Sequence, residues 1–255
     1  MKQRNSYSRI VQDLEEWSEL SKGSKIRLFQ HCIEKGISSF LINFSKSHNY
    51  DHGLGTAFSE SGLSRDEVQL IAVLDKGIAK TEELIEQVEK ILNLMDTDYL
   101  DLLILDFAGP HEEIIPAIEQ LRAQEKLVEI GVLEEKPGDK SEFLKEFPAS
   151  STLSAFKFTP AAVKSLTLAE AASEETTQMI IPVSGDWENE NESLKKTAEK
   201  YNLRPKELLF SWLLHHRAHF HPVIKGDSEA VINSAVNAFH ATIIDEDLEK
   251  LPERL

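Results

Sequence analysis

The stretch GISSFLINFSKSHNYDHGLGTAF, Gly36–Phe58, contains the structural pattern that recurs along the whole chain. Its first part, Ser38–Asn43, is a short apolar run typical of a buried strand. The helical segment Ser24–Lys35 precedes this strand and ends at Gly36, because glycine commonly terminates helices. A polar loop follows the strand and leads into another helix. This order of elements is typical of an α/β protein.

Short apolar runs and amphipathic helical segments alternate about eight times along the 255 residues. The predicted strands are Arg9–Leu14, Ser38–Asn43, Gln69–Leu74, Tyr99–Leu105, Val128–Val132, Thr152–Phe158, Gln178–Val183 and Phe220–Ile224. The clearest predicted helices are Thr81–Met95, Pro205–His216 and Ser228–Asn237. Eight such repeats predict an α/β fold with one closed parallel (β/α)8 TIM barrel, as a single domain over residues 1–255. A doubly wound open sheet is the alternative, which the lack of a glycine-rich GxGxxG motif disfavours.

The composition narrows the classes of partner. The net charge is −16, which argues against nucleic acid and anionic membranes, because both are bound by basic surfaces. No apolar run approaches the roughly 20 residues that span a bilayer, and no signal peptide is apparent. The single cysteine, Cys32, cannot form an intrachain disulfide and is expected to be buried. We therefore expect a cytoplasmic protein.

Five segments follow one another along the chain: YSRIV from Tyr7, GISSF from Gly36, DTDYLDLL from Asp96, LLFSWLLHH from Leu208 and HPVIKG from His221. In their order and spacing, these segments resemble the aldo/keto reductase family. The resemblance runs from about Tyr7 to about Leu248. It implies a TIM barrel that reduces carbonyl compounds with NADPH, using a catalytic tetrad of Asp, Tyr, Lys and His.

The residues that the resemblance assigns to the tetrad have a different chemistry here. Leu41 stands at the position of the Asp and Lys46 at that of the Tyr. Val73 stands at the position of the Lys and Asp106 at that of the His. Leu41 and Val73 cannot donate a proton or carry a charge, and general acid catalysis requires a donor whose pKa is tuned by its neighbours. No catalytic residue of the family is therefore intact.

The four substitutions form two pairs, and both members of each pair differ from the family's residues. Removing one partner of a buried ion pair costs about 3–5 kcal/mol, whereas here both the Asp and the Lys are replaced by aliphatic residues. We therefore expect Leu41 and Val73 to be in contact. We also expect Lys46 and Asp106 to lie within reach of a salt bridge.

The positions that the resemblance assigns to cofactor binding are also changed. Those that would hold the nicotinamide are Leu133, Glu134, Ser154 and Ala155. The phosphate loop begins at Lys225-Gly226, and the Arg that grips the adenosine 2′-phosphate in the family falls at Val231. Asp227 and Glu229 add negative charge beside the helix that follows, and Lys225 is expected to be solvated. No cofactor is expected, and it would be NADP(H) if the family's function is retained.

Three functions remain open. The first is a pseudoenzyme that binds an unknown small molecule or a protein. The second is an NADP-dependent oxidoreductase with an atypical site. The third is a hydrolase or lyase built from Asp106, Lys46, His48 and His52. No metal site is predicted, because adjacent residues of the histidine-rich segment His215–His221 point in different directions on a helix end.

Overall fold

Eight parallel strands form a closed barrel in the sequence order β1 to β8, in which β8 pairs with β1. The structure is a computed structural model that describes residues 7–44, 53–74, 80–105, 113–134, 153–156, 178–182, 192–216 and 220–251. The strands are β1 Val11–Asp13, β2 Ser39–Phe44, β3 Gln69–Leu74, β4 Leu100–Leu105, β5 Leu127–Glu134, β6 Leu153–Phe156, β7 Gln178–Pro182 and β8 Phe220–Lys225. The predicted TIM barrel is confirmed.

The helices in the described part of the chain lie between and after these strands. They are α1 Lys22–Glu34, α2 Gly53–Glu60, α3 Thr81–Met95, α4 Ile115–Ala123, α5 Glu192–Lys200, α6 Pro205–His216, α7 Glu229–His240 and α8 Asp245–Glu249. Their buried faces and the outward-facing side chains of the strands form one large apolar cluster. This arrangement of helices around a parallel sheet requires strands that are buried on both faces.

The end of α1 shows how local sequence sets an element boundary. The amide of Gly36 donates to the carbonyl of Ile33 at 2.9 Å, and the amide of Ile37 donates to that of Cys32 at 2.8 Å. This is a Schellman motif, which needs a residue with positive φ at its centre. Gly36 has φ +77°, so the predicted helix stop is confirmed and β2 starts three residues later.

Residues before β1 lie across the end of the barrel where the strands begin. The hydroxyl of Tyr7 donates to Glu129 Oε2 at 2.9 Å, and His221 Nδ1 lies 2.8 Å from the carbonyl oxygen of Ser8. Glu129 and His221 are both buried. These bonds give buried polar groups their partners and leave the opposite end, where strands end, as the place for a site.

Candidate binding site at the barrel mouth

The inward-facing side chains of the barrel form an apolar cluster of their own. Its members are Val11, Leu41, Ile71, Val73, Leu102, Ile104, Leu133, Ile180 and Val223. Alternate residues of each strand face the same side, so these residues fill the barrel as layers. The described residues therefore pack the barrel interior. Any chemistry at the end where the strands end depends on the residues at the rim.

Leu41 and Val73 both belong to this inner cluster. Leu41 pairs with Ile71 across β2 and β3, and Val73 lies two positions further along β3, opposite Asn43. The two residues are therefore diagonal neighbours, with side chains 3% and 8% exposed. The structure thus brings together the two aliphatic residues that the sequence paired. A single charge placed in this cluster would have no opposite charge within the cluster to compensate it.

The other two tetrad positions, Lys46 and Asp106, lie outside the described residues, as do His48 and His52. The expected salt bridge between Lys46 and Asp106 therefore stays a prediction. The same holds for a hydrolytic site built from these four side chains.

Of the positions linked to the nicotinamide, Leu133 is buried in the inner cluster. Glu134 is the last residue of β5, and Ser154 and Ala155 lie on β6, where they pair with Val132 and Leu133. Adjacent strands thus carry all four positions. The buried one, Leu133, presents an apolar side chain where an amide would need hydrogen-bond partners.

A charged cluster joins β1 to β8 at the rim. Lys225 Nζ lies 2.6 Å from Glu15 Oε2 and 3.5 Å from Asp13 Oδ2. Asp13 is 3% exposed, and its Oδ1 accepts a hydrogen bond from the amide of Glu15 at 2.9 Å. The Lys225 side chain is 43% exposed, as expected of a solvated lysine, and its ammonium is in addition paired with these carboxylates, which the sequence did not predict. Barrel closure supplies the partners, because Asp13 and Lys225 occupy paired positions on β1 and β8.

Burial and pairing have opposite effects on these groups. Burial raises the pKa of Asp13 from 3.8 to about 6, and it outweighs the hydrogen bond from the Glu15 amide and the attraction of Lys225. For Lys225, partial burial acts to lower the pKa, but the hydrogen bond to Glu15 and the attraction of Asp13 and Glu15 raise it above the ordinary value. Near neutral pH the cluster therefore holds one cation between two carboxylates.

The loop after β8 is tied to the start of the chain. The carbonyl oxygen of Gly226 accepts from Trp17 Nε1 at 2.9 Å and from Gln12 Nε2 at 3.2 Å. A Cβ at Gly226 would lie 2.5 Å from Val231 Cγ1, which is closer than side chains tolerate. The loop therefore packs directly on Val231. The expected excess of acid beside α7 is present, since Asp227 and Glu229 are both exposed there.

A cleft of about 230 Å³ opens beside this loop, between α6, β8 and α7. Its lining residues include four with apolar side chains, Phe210, Ile224, Val231 and Ala235. Lys225 and Val231 were predicted from the sequence as positions of a site, but the cleft itself was not. Asp13 was not predicted either, although an acidic residue at the end of a predicted barrel strand is a recognisable signal of a site.

Two further findings concern metal sites and membrane-spanning helices. His215 Nδ1 lies 2.7 Å from the carbonyl oxygen of Ser211 on α6, while His221 is buried in β8. Among the described residues, no group of three or more His, Cys, Asp or Glu side chains is arranged to hold a metal ion. The helices of the described ranges also include none long and apolar enough to cross a membrane.

Comparison with solved structures identifies the fold. A thermostable aldo-keto reductase in complex with epalrestat matches with a TM-score of 0.79 and 14% identity, over 97% of this chain and 95% of that one. An aldo-keto reductase from Klebsiella pneumoniae in complex with NADPH matches with a TM-score of 0.76 and 18% identity, over 97% and 90% of the two chains.

This chain has the aldo/keto reductase fold. The resemblance drawn from its sequence motifs is therefore confirmed at the level of architecture. The barrel mouth described above is the end of this barrel at which the strands end.

The sequence comparison points in the same direction. Glyoxal reductase of Bacillus subtilis (strain 168) is 24% identical over 224 residues, which are 86% of this chain and 79% of that protein. The 9,11-endoperoxide prostaglandin H2 reductase of Trypanosoma cruzi (strain CL Brener) is 23% identical over 222 residues, which are 83% and 76% of the two chains. No family model matches the chain.

Proposed function

We propose that this aldo/keto reductase-like barrel is a pseudoenzyme, which binds a small molecule or a protein and does not reduce carbonyl compounds with NADPH. The observation that carries the proposal is the burial of Leu41 and Val73 together in the inner apolar cluster. Leu41 and Val73 cannot form the charged pair that would tune a proton donor from these two positions.

The residues around the cleft support the same proposal, because they fit NADP(H) poorly. A bound polyanion needs cations or helix N-termini that are available to it. Lys225 is held by Glu15 and Asp13, and the position of the family's 2′-phosphate-binding Arg is the apolar Val231. Exposed Glu229 in the first turn of α7 adds repulsion at that helix terminus.

A second candidate function is NADPH-dependent reduction at an atypical site. It is favoured by the names of the relatives, which are reductases, and by the NADPH complex of the Klebsiella pneumoniae neighbour. In that case NADP(H) would be the cofactor of this chain.

One assay distinguishes the two candidates. Oxidation of NADPH would be followed by the absorbance of the reduced nicotinamide, with glyoxal and a panel of aldehydes as substrates. The Bacillus subtilis glyoxal reductase serves as the positive control. We expect no turnover above background, and no NADPH binding tighter than about 1 mM by calorimetry, which corresponds to about −4 kcal/mol.

Turnover on the order of 1 s⁻¹ or faster would contradict the proposal, since that is the ordinary enzymatic range. Micromolar affinity for NADPH without turnover would also count against it, because the cleft would then hold the family's cofactor. The purified protein should be a single species in both measurements, so that a contaminating reductase does not supply the signal.

A further inference from the structure

The cleft between α6, β8 and α7 has an apolar wall and a charged rim. Phe210, Ile224 and Ala235 are buried, and Val231 packs against the backbone of Gly226. These four side chains come from three elements, so the wall is fixed by the packing of α6 and α7 on the last strand. Such preformed apolar surfaces with a few polar groups are typical of small-molecule sites.

The charge on one side of the rim is already compensated. Arg204 Nη2 lies 3.1 Å from Glu207 Oε1, and the amide of Arg204 donates to Glu207 Oε2 at 2.7 Å. The same guanidinium donates to Ser234 Oγ at 2.6 Å, and the Ser234 hydroxyl donates to Glu207. These bonds also lower the pKa of Glu207, against an opposing effect of its burial, so the carboxylate stays charged beside Arg204.

The charge on the other side is compensated in the same way. Lys225 lines the cleft, and its ammonium lies between Glu15 and Asp13. Lys206 also lines the cleft. The cleft and the groups bonded to its rim thus carry three cationic and three carboxylate side chains, which gives an anion little net attraction.

We propose that this cleft binds a small, uncharged and mostly apolar molecule. The inference rests on the proposed binding function and names the chemical class of its ligand. The volume of about 230 Å³ is below the roughly 300–1,000 Å³ of sites for drug-sized ligands, so the ligand is small. An anion at Arg204 or Lys225 would compete with the carboxylates already bound there, whereas a neutral molecule gains from the apolar wall alone.

Indole and indoxyl sulfate test this proposal, because they share one ring system and differ in charge. Calorimetric titration of the full chain should give binding of indole at least about tenfold tighter than that of indoxyl sulfate, a difference of about 1.4 kcal/mol. Equal or tighter binding of indoxyl sulfate would overturn the proposal, and so would a lack of indole binding.

Two variants place the binding in the cleft. Ala235→Phe fills the cleft and should weaken indole binding at least about tenfold. The matched control, Ala230→Phe, lies on the same helix at an exposed position and should leave binding unchanged. Equal effects of the two variants would overturn the assignment to this cleft. Thermal unfolding of each variant shows whether it is folded.

Val231→Arg supplies an independent arm. It adds a guanidinium beside the apolar wall without adding a carboxylate, so the preference should shift toward indoxyl sulfate by about tenfold or more. An unchanged preference would contradict the role assigned to charge balance. NADPH oxidation measured on the same preparations separates the two proposals, since indole binding can fail while the lack of reductase activity stands, and the reverse.

Discussion

Two regions of the barrel mouth, each formed by neighbouring strands, differ in the side chains that they bury. One buries aliphatic residues, and the other buries a carboxylate that is paired with a lysine. On the side of β2 and β3, Leu41 and Val73 present aliphatic side chains to a packed interior. On the side of β8 and β1, Lys225 and Asp13 are both charged and are joined by Glu15. Among the described residues of the first side, β2 and β3 include no group that titrates, and the second side holds an acid–amine pair. The same fold therefore carries aliphatic and ionisable side chains on neighbouring pairs of strands.

The largest expected effect is on the apolar side. Leu41→Asp places a carboxylate in the inner cluster, where it lacks a cation, and we expect unfolding free energy to fall by about 3–5 kcal/mol. Urea denaturation would measure the loss. Leu41→Met is the matched control and should cost less than about 1.5 kcal/mol. Equal losses for the two variants would show that this side of the mouth is not a closed apolar environment.

The double variant Leu41→Asp with Val73→Lys sharpens the same comparison. The two substituted positions are diagonal neighbours on β2 and β3, so the new charges can pair. We expect the loss for the double variant to be smaller than the sum of the single losses by about 1–3 kcal/mol. A double-mutant cycle in urea measures this coupling, and strict additivity would contradict the shared cluster.

The next effect concerns pH and the charged side. The pKa of Asp13 is raised to about 6, so the folded protein holds this proton more tightly than the unfolded chain does. The contribution of Asp13 to stability is therefore fully present below about pH 4 and lost as the pH rises through about 6. The stability of the wild type relative to Asp13→Asn should fall by about 2–3 kcal/mol across this window. Urea denaturation of both proteins at a series of pH values measures it.

A relative stability that is independent of pH, or that rises with pH, would contradict the buried and ionisable state of Asp13. The pKa of Lys225 is raised above its ordinary value, so this residue stays charged through the window. Glu15 is the other carboxylate paired with Lys225, and it is more exposed than Asp13. Glu15→Gln therefore serves as the comparison with Asp13→Asn.

The smallest effect tests the loop after β8. Gly226→Ala forces a methyl group against Val231, and overpacking of this kind costs about 1–3 kcal/mol. Gly23→Ala is the control, because a Cβ there meets nothing within 4 Å and the site lies in α1. It should stabilise the protein by up to about 1 kcal/mol. Thermal unfolding of both variants measures the difference, and a neutral Gly226→Ala would show that the loop can move away from α7.

The sequence predicted elements best where the local pattern is complete. The strand Gln69–Leu74 and the helices Thr81–Met95 and Pro205–His216 match their predicted bounds. A continuous apolar run, a helical apolar repeat and an initial proline define these elements without help from distant residues. β1 is shorter than predicted, Val11–Asp13 instead of Arg9–Leu14, because its extent depends on pairing with β2 and β8.

The site was predictable only in part, because some of its contacts join residues that are distant in the sequence. Leu41 and Val73 are placed in one cluster by strands that are neighbours in the sequence. The pairing of Lys225 was not predictable, because Glu15 lies 210 positions away and is brought near by closure of the barrel. The cleft likewise forms from α6, β8 and α7 after they pack, and no local pattern records its volume.

The junction of β1 with β8 also bears on how the chain folds. Contacts between neighbouring strands such as β3 and β4 close short loops, whereas the bond from Trp17 to Gly226 closes a loop of 209 positions. The entropy of loop closure grows with length, and non-local pairing slows folding. We therefore expect this junction to form last, with the amides of β1 gaining protection from hydrogen exchange after those of β3 and β4. Simultaneous protection of all three strands in a pulse-labelling experiment would rule out this sequence of events.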